Sequence, residues 1–358
     1  MRIVFAPDSF KGTATADDAA ALLAAGWRDV RPDDELLLRP MADGGEGTLD
    51  ALAKAIPAAR WRSAPGCTGP DGRRVDGRYL LLPDDVAAVE LAVTSGLPLM
   101  RAPDPLRATT RGLGEVIAAA LDAGARELVV AVGGSASTDG GAGALAALGL
   151  RLLDADNNAL DDGGAALATL AHVDAGQLRP PPPGGVRILT DVTHPLLGPL
   201  GAAAVFGPQK GASPTDIALL DAALARFAAL LGGDPAAPGA GAAGGTAFGF
   251  AALWGARVVS GAATVADLIG LDDAIARADL VVTGEGRLDA SSWRGKVVGE
   301  VASRTTAPLA VACGSADGSQ PRATHVVSLA QLAGSVEAAM ADPRRWLLAA
   351  GRLLAERA

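Results

Sequence analysis

Aromatic side chains make up only 3% of the 358 residues, and charged ones 20%, against roughly 25% charged in an ordinary globular chain. So few rings leave little on which unpaired bases could stack. Lysine is rarer still: of 31 basic residues only Lys11, Lys54, Lys210 and Lys296 are lysines. Asp and Glu number 40, for a formal charge of −9. An acidic chain repels a phosphate backbone, which argues against a nucleic-acid partner. The two cysteines, Cys67 and Cys313, are too few and too far apart for a disulfide scaffold or a clustered zinc site. They are expected to be reduced thiols. Two long uncharged stretches, 192–209 and 235–256, are broken by Gly and Pro, so neither reads as a membrane span. Asp8 arrives too early for a signal-peptide core. A soluble, cytoplasmic protein with no membrane partner is expected.

Ala and Gly fill the space that larger side chains usually take. The length corresponds to roughly two domains. Short apolar runs recur: 2–6, 35–39, 86–91, 127–132, 186–190, 279–283, 309–312 and 325–328. Ala/Leu-rich helical stretches such as 17–30, 109–123 and 215–231 lie between several of them. Strands alternating with helices predict an α/β fold with largely parallel sheets. The segment 179–185, Arg-Pro-Pro-Pro-Pro-Gly-Gly, and the Gly/Ala/Pro-rich 232–245 read as linkers. A hairpin texture over 65–82 marks the exit into a second, inserted domain.

Five glycine-rich polar loops follow or adjoin predicted strands, where open α/β sheets bind ligands. The first, 6–12, carries Asp8, Ser9 and Lys11; Thr15 and Asp17 are expected to cap the next helix. The second, 40–48, sets Asp43 and Glu46 among three glycines. That arrangement suits Mg²⁺ or a hydroxyl needing a base, though Glu46 also fits a helix N-terminus. The third, 132–143, with Gly133, Gly134, Ser135 and Asp139, could cradle an anion or simply pack tightly. The fourth places Asp191 at a strand end and continues to Lys210; His194 reads as a turn residue more than as a base. The fifth carries Glu285 between two glycines, then Arg287, Asp289 and Lys296. Lys11, Lys210 and Lys296 each adjoin a glycine. A compact ammonium beside backbone that can approach closely suits a phosphate in transfer.

Familiar nucleotide motifs fail. Lys296 has no phosphate-loop spacing, and Gly239-Ala-Gly241-Ala-Ala-Gly244 matches a dinucleotide fingerprint but follows a linker instead of a strand.

Taken together, 6–12, 40–48, 133–141, 191–198, 205–211, 239–245 and 283–289 resemble the bacterial glycerate kinase family that includes the glycerate 2-kinases. They occur in the family's order and span nearly the whole chain. His194, Ser291 and Val298 depart from the family's usual Asn, Gln and Pro. The resemblance implies a Rossmann-like parallel-sheet domain built from both chain ends, 1–64 and 267–358, with an inserted α/β domain, 65–266. It also implies transfer of the ATP γ-phosphate to D-glycerate with Mg²⁺, giving 2-phosphoglycerate, in a cleft between the domains.

In that scheme Lys11, Asp43, Asp191, Arg287 and Lys296 are the catalytic candidates. Asp43 or Asp191 orients the attacking hydroxyl, while Asp191 and Glu285 are candidate metal ligands. Gly133, Gly134, Ser135, Asp139, Lys210, Gly241 and Gly244 are expected to bind ATP. A homodimer is compatible with it. Three alternatives stay open: a kinase of the 3-hydroxyl or of another hydroxy acid, a dehydrogenase, and a non-catalytic hydroxy-acid-binding protein.

Overall fold

The computed structural model describes residues 1–318 and 322–358. Along the chain, β1 (Arg2–Phe5) and β2 (Glu35–Leu38) lead to a hairpin of β3 (Arg60–Thr68) and β4 (Arg74–Leu81). Next come β5 (Val86–Glu90), β6 (Glu127–Ala131), β7 (Arg151–Leu153), β8 (His172–Asp174), β9 (Val186–Leu189) and β10 (Arg257–Val259). The last three are β11 (Leu280–Leu288), β12 (Leu309–Ala316) and β13 (His325–Ser328). All eight predicted runs are strands, within a residue or two except that β11 and β12 run on further. The predicted helices form as Ala16–Val30, Arg111–Asp122 and Pro214–Leu231. Thr15 caps the first of these, accepting from Asp18 N at 3.1 Å. Ser213 and Asp216 make a reciprocal capping box on the third.

The chain divides into two compact units. The first comprises 1–43, 50–57 and 260–358; the second comprises 44–49 and 58–259. A boundary at 64/65 would cut β3, and one at 266/267 would cut the helix Gly261–Leu268. Both limits therefore fall at lower numbers, ahead of those elements, at 57/58 and 259/260.

The first unit holds a wholly parallel sheet in the order β13-β12-β11-β1-β2. Numbered within the unit this is the order 2-1-3-4-5, the flavodoxin-like form of the doubly wound fold, which reverses direction between β1 and β11. Its core gathers Ile3, Phe5, Leu23, Trp27, Val282, Ala310 and Leu347. The second unit holds a mixed sheet, β10-β9-β6-β5-β4-β3, parallel from β10 to β5 and antiparallel beyond. Its core includes Val89, Val130, Ile188, Leu224, Phe227 and Phe250. The expected linker 232–245 ends inside a helix, Ala242–Trp254, whose first turn is irregular: Ala243, Gly244 and Gly245 have φ of 53°, 64° and 87°. Among the described residues no helix is long and apolar enough to cross a membrane.

Candidate active site

In the first unit, three neighbouring parallel strands lead to carboxylates: Asp8 and Asp43 follow β1 and β2, and Glu285 stands within β11, past the end of its pairing with β1. The β1 ladder continues past Phe5: Ala6 N donates to Val282 O (2.7 Å) and Asp8 N to Gly284 O (2.8 Å). This sets Asp8 beside Glu285 of β11. On the other flank Arg39 N donates to Phe5 O (2.8 Å) and Met41 N to Pro7 O (2.9 Å). That contact carries the chain to Asp43. Thr283, fully buried, ties the two central strands by donating from Oγ1 to Ala6 O at 2.8 Å.

After Asp8 the chain folds into a tight loop in which Phe10 N donates to Ala14 O (2.9 Å) and Gly12 takes φ 78°. That turn leaves Lys11 exposed at its crest. Lys296 precedes the helix Val297–Arg304, after Gly295 at φ 81°, and its Nζ donates to Ser291 Oγ at 2.9 Å. The glycines beside these two lysines thus serve left-handed turns that only a residue without Cβ adopts freely. Arg287 stands 79% exposed, 4.0 Å from Asp289. Asp8, Lys11, Asp43, Glu285, Arg287, Asp289 and Lys296 line one hollow of ≈580 Å³.

The charges there are frustrated. Burial, then the nearby Asp43, pushes the Asp8 carboxyl up to about 7, against the pull of the Ser9 backbone N–H and the Lys11 ammonium. Burial also raises Glu285, opposed by a Ser292 hydrogen bond and Lys296. Its Oε1 is buried without a hydrogen-bond partner. Asp289 is held low by hydrogen bonds from Ser291. Two carboxyls pushed up by burial thus share one hollow with ammonium groups, the kind of arrangement that clusters at functional sites.

The second unit carries the other expected residues. Gly133, partly exposed, and Gly134, exposed, form the crest of the loop after β6. Ser135 lies just beneath, 8% exposed. Asp139, Lys210, Gly241 and Gly244, expected to touch ATP, are all buried. Asp139 accepts from Thr110 N (2.9 Å), Thr110 Oγ1 (2.8 Å), Gly141 N and Gly143 N (both 3.2 Å). Lys210 Nζ donates to Ser135 Oγ at 2.9 Å and to Ser137 O. Burial lowers its ammonium to about 8, opposed by the Asp139 charge. A Cβ at Gly241 or Gly244 would come within 2.2 Å of a backbone oxygen, so these glycines permit close packing. Asp139, Lys210 and Gly244 thus brace the loop, while Gly241 packs against His194 and Pro195.

The segment 44–49 is pinned at the same edge. Glu90, ending β5, accepts from Gly47 N and Leu49 N, both at 3.1 Å, and Gly133 N donates to Gly44 O at 3.1 Å. Glu46 is exposed. Asp191 follows β9 and is partly buried. His194 is a turn residue, its ring 3.0 Å from Leu200 O and edge-on to Phe206. Among the described residues no three His, Cys, Asp or Glu side chains form a ready metal cage.

Asp8, in the hollow, and Glu90, holding 44–49, are residues that the sequence leaves without a role. A carboxylate at a strand end, the signal that marks Asp191, marks both of them too.

A model of the glycerate kinase family matches residues 3–357. The chain is 41% identical over 327 residues to the glycerate 2-kinase of Escherichia coli K12, covering 88% of this chain and 85% of that one. It is 40% identical over 308 residues to a glycerate kinase of Bacillus subtilis, covering 83% and 79%. A crystal structure from Salmonella typhimurium LT2, described as a glycerate kinase 2, superposes with a TM-score of 0.84 at 39% identity, over 100% of this chain and 98% of that one. With agreement of this extent in both sequence and fold, the chain is a kinase and belongs to the glycerate kinase family.

Proposed function

We propose that this enzyme transfers the γ-phosphoryl group of ATP to the 2-hydroxyl of D-glycerate, with Mg²⁺, forming 2-phosphoglycerate. The observation that carries the reading is the hollow of the first unit, lined by Asp8, Asp43 and Glu285 from adjacent strands and the loops after them, together with Lys11 and Lys296. Phosphoryl transfer asks a protein for positioning and charge neutralisation more than for covalent chemistry. The name of the E. coli relative supports glycerate and its 2-position.

The residues fit Mg²⁺. That ion keeps several waters and takes one or two carboxylates plus substrate phosphates, so it needs no full protein cage. Glu285, with an oxygen lacking a hydrogen bond, and Asp43 or Asp8 would hold it. When bound, it neutralises phosphate oxygens. Lys11 and Lys296 hold the oxygens of the transferring group. Arg287, free to swing, grips a carboxylate or phosphoryl oxygens bidentately. Asp191 orients the attacking hydroxyl and accepts its proton. The backbone and hydroxyl donors of Gly133, Gly134 and Ser135 receive an anionic group.

The test is to incubate the enzyme with ATP, Mg²⁺ and D-glycerate, then add enolase without a mutase. Phosphoenolpyruvate absorbance is expected at once. ADP release with phosphoenolpyruvate appearing only after mutase is added would move the phosphate to the 3-hydroxyl. No ADP release would remove glycerate as substrate.

A further inference from the structure

The hollow of the first unit has a second wall that the charged groups leave unused. Leu329, Val336, Ala339, Met340 and Pro343 line it. Val336 and Met340, on the helix Val336–Ala341, are 45% and 55% exposed. Glycerate is a three-carbon acid with oxygen on every carbon. It has no apolar face to cover such a wall and would leave most of ≈580 Å³ empty. A ligand anionic at one end and flat and apolar at the other fits both walls. The place fits too: ligands of doubly wound sheets bind outside the carboxyl ends of the strands where the order reverses, here between β1 and β11. Glu285 lines the same hollow with its Oε1 buried and unpartnered.

We propose that this hollow is the nucleoside triphosphate site, with the base laid against Leu329, Val336, Ala339 and Met340 and the phosphates directed at Lys11 and Lys296. The assignment rests on the nucleotide dependence proposed above. It takes the nucleotide away from the glycine loops at 133–141 and 239–245.

Photolabelling the whole enzyme with 8-azido-ATP tests it. Trypsin cuts after Arg322 and Arg344, so the apolar wall falls within one peptide. ATP-competed label on that peptide is the expected result; label on peptides holding 133–141 or 239–245, or label that ATP does not compete, overturns the proposal. Val336→Glu and Met340→Glu alter exposed positions. Each is expected to raise the KM for ATP at least tenfold while leaving the KM for D-glycerate within twofold. An unchanged KM for ATP in both variants overturns the assignment. The two readings fail separately. An enzyme that makes 2-phosphoglycerate but labels elsewhere keeps its function and loses this site. One that labels here under ATP competition but makes no phosphoglycerate keeps the site and loses the proposed reaction.

Discussion

Asp8 keeps its proton to about pH 7 because the fold buries it next to Asp43. Between the ordinary carboxyl range and that value the folded chain binds a proton that the unfolded chain releases. Stability therefore falls as pH rises through this window, and no penalty remains below the unfolded value. Without nucleotide or divalent ion, Asp8→Asn is expected to melt above the wild type at pH 8 and level with it near pH 4. Thermal scans across that range check this, and a wild-type slope retained in the variant contradicts it. The lysines divide in the same way. Lys11→Ala and Asp191→Ala are expected to lower turnover by roughly 10²–10³ with the fold intact, as for loss of one preorganised charge-stabilising group. Lys54 is half exposed and meets Asp17 at 3.3 Å, a surface pair worth little, so Lys54→Ala should be nearly silent in the same assay. A loss there equal to that of Lys11→Ala would undo the argument from lysine scarcity. Lys11 and Lys296, singled out by that scarcity, both line the hollow. Lys210 is equally scarce in sequence, but its neighbour Gly211 serves a turn at φ 91°, and nothing local shows that its ammonium is buried on Ser135 and Ser137.

At the scale of elements, the strands are legible because each short apolar run is bounded by polar turns, as parallel strands covered on both faces require. Their partners are not legible. β1 pairs with β11 across most of the chain, so a reader of the sequence meets Asp8 and Glu285 in separate loops. The start of the helix Ala242–Trp254 is hidden for a different reason. Glycine-rich 239–245 reads as linker, yet its left-handed residues pack backbone against backbone, Gly140 N donating to Gly244 O at 2.9 Å. Glu90 shows how one side chain can place a loop. It is 5% exposed and meets two backbone N–H groups of 44–49. Glu90→Gln keeps the shape but leaves one oxygen for two donors and removes the charge that strengthens both bonds. A loss of about 1–3 kcal/mol is expected from the exposed deficit, read as a lower urea midpoint at unchanged slope. An unchanged midpoint would show that 44–49 is held by other contacts.

At the scale of the whole molecule, two large apolar clusters among the described residues each draw on one unit. Phe5, Trp27 and Leu347 belong to the first; Val130, Phe227 and Phe250 belong to the second. Each unit buries its own aromatic pair, Phe5 with Trp27 at 6.0 Å and Phe250 with Trp254 at 5.3 Å. A chain whose cores are separately built need not unfold in one step. Urea unfolding followed by tryptophan fluorescence is expected to show two transitions, and Trp27→Phe should remove signal chiefly from the one belonging to the first unit. A ligand stabilises only the state that binds it, by about 2.7 kcal/mol at a hundredfold excess over Kd. With the nucleotide assigned to the hollow of the first unit, ADP should move the Trp27-linked transition by about that amount and leave the other in place. If both transitions move together, binding energy is shared by the whole chain, and the nucleotide cannot be credited to the first unit alone.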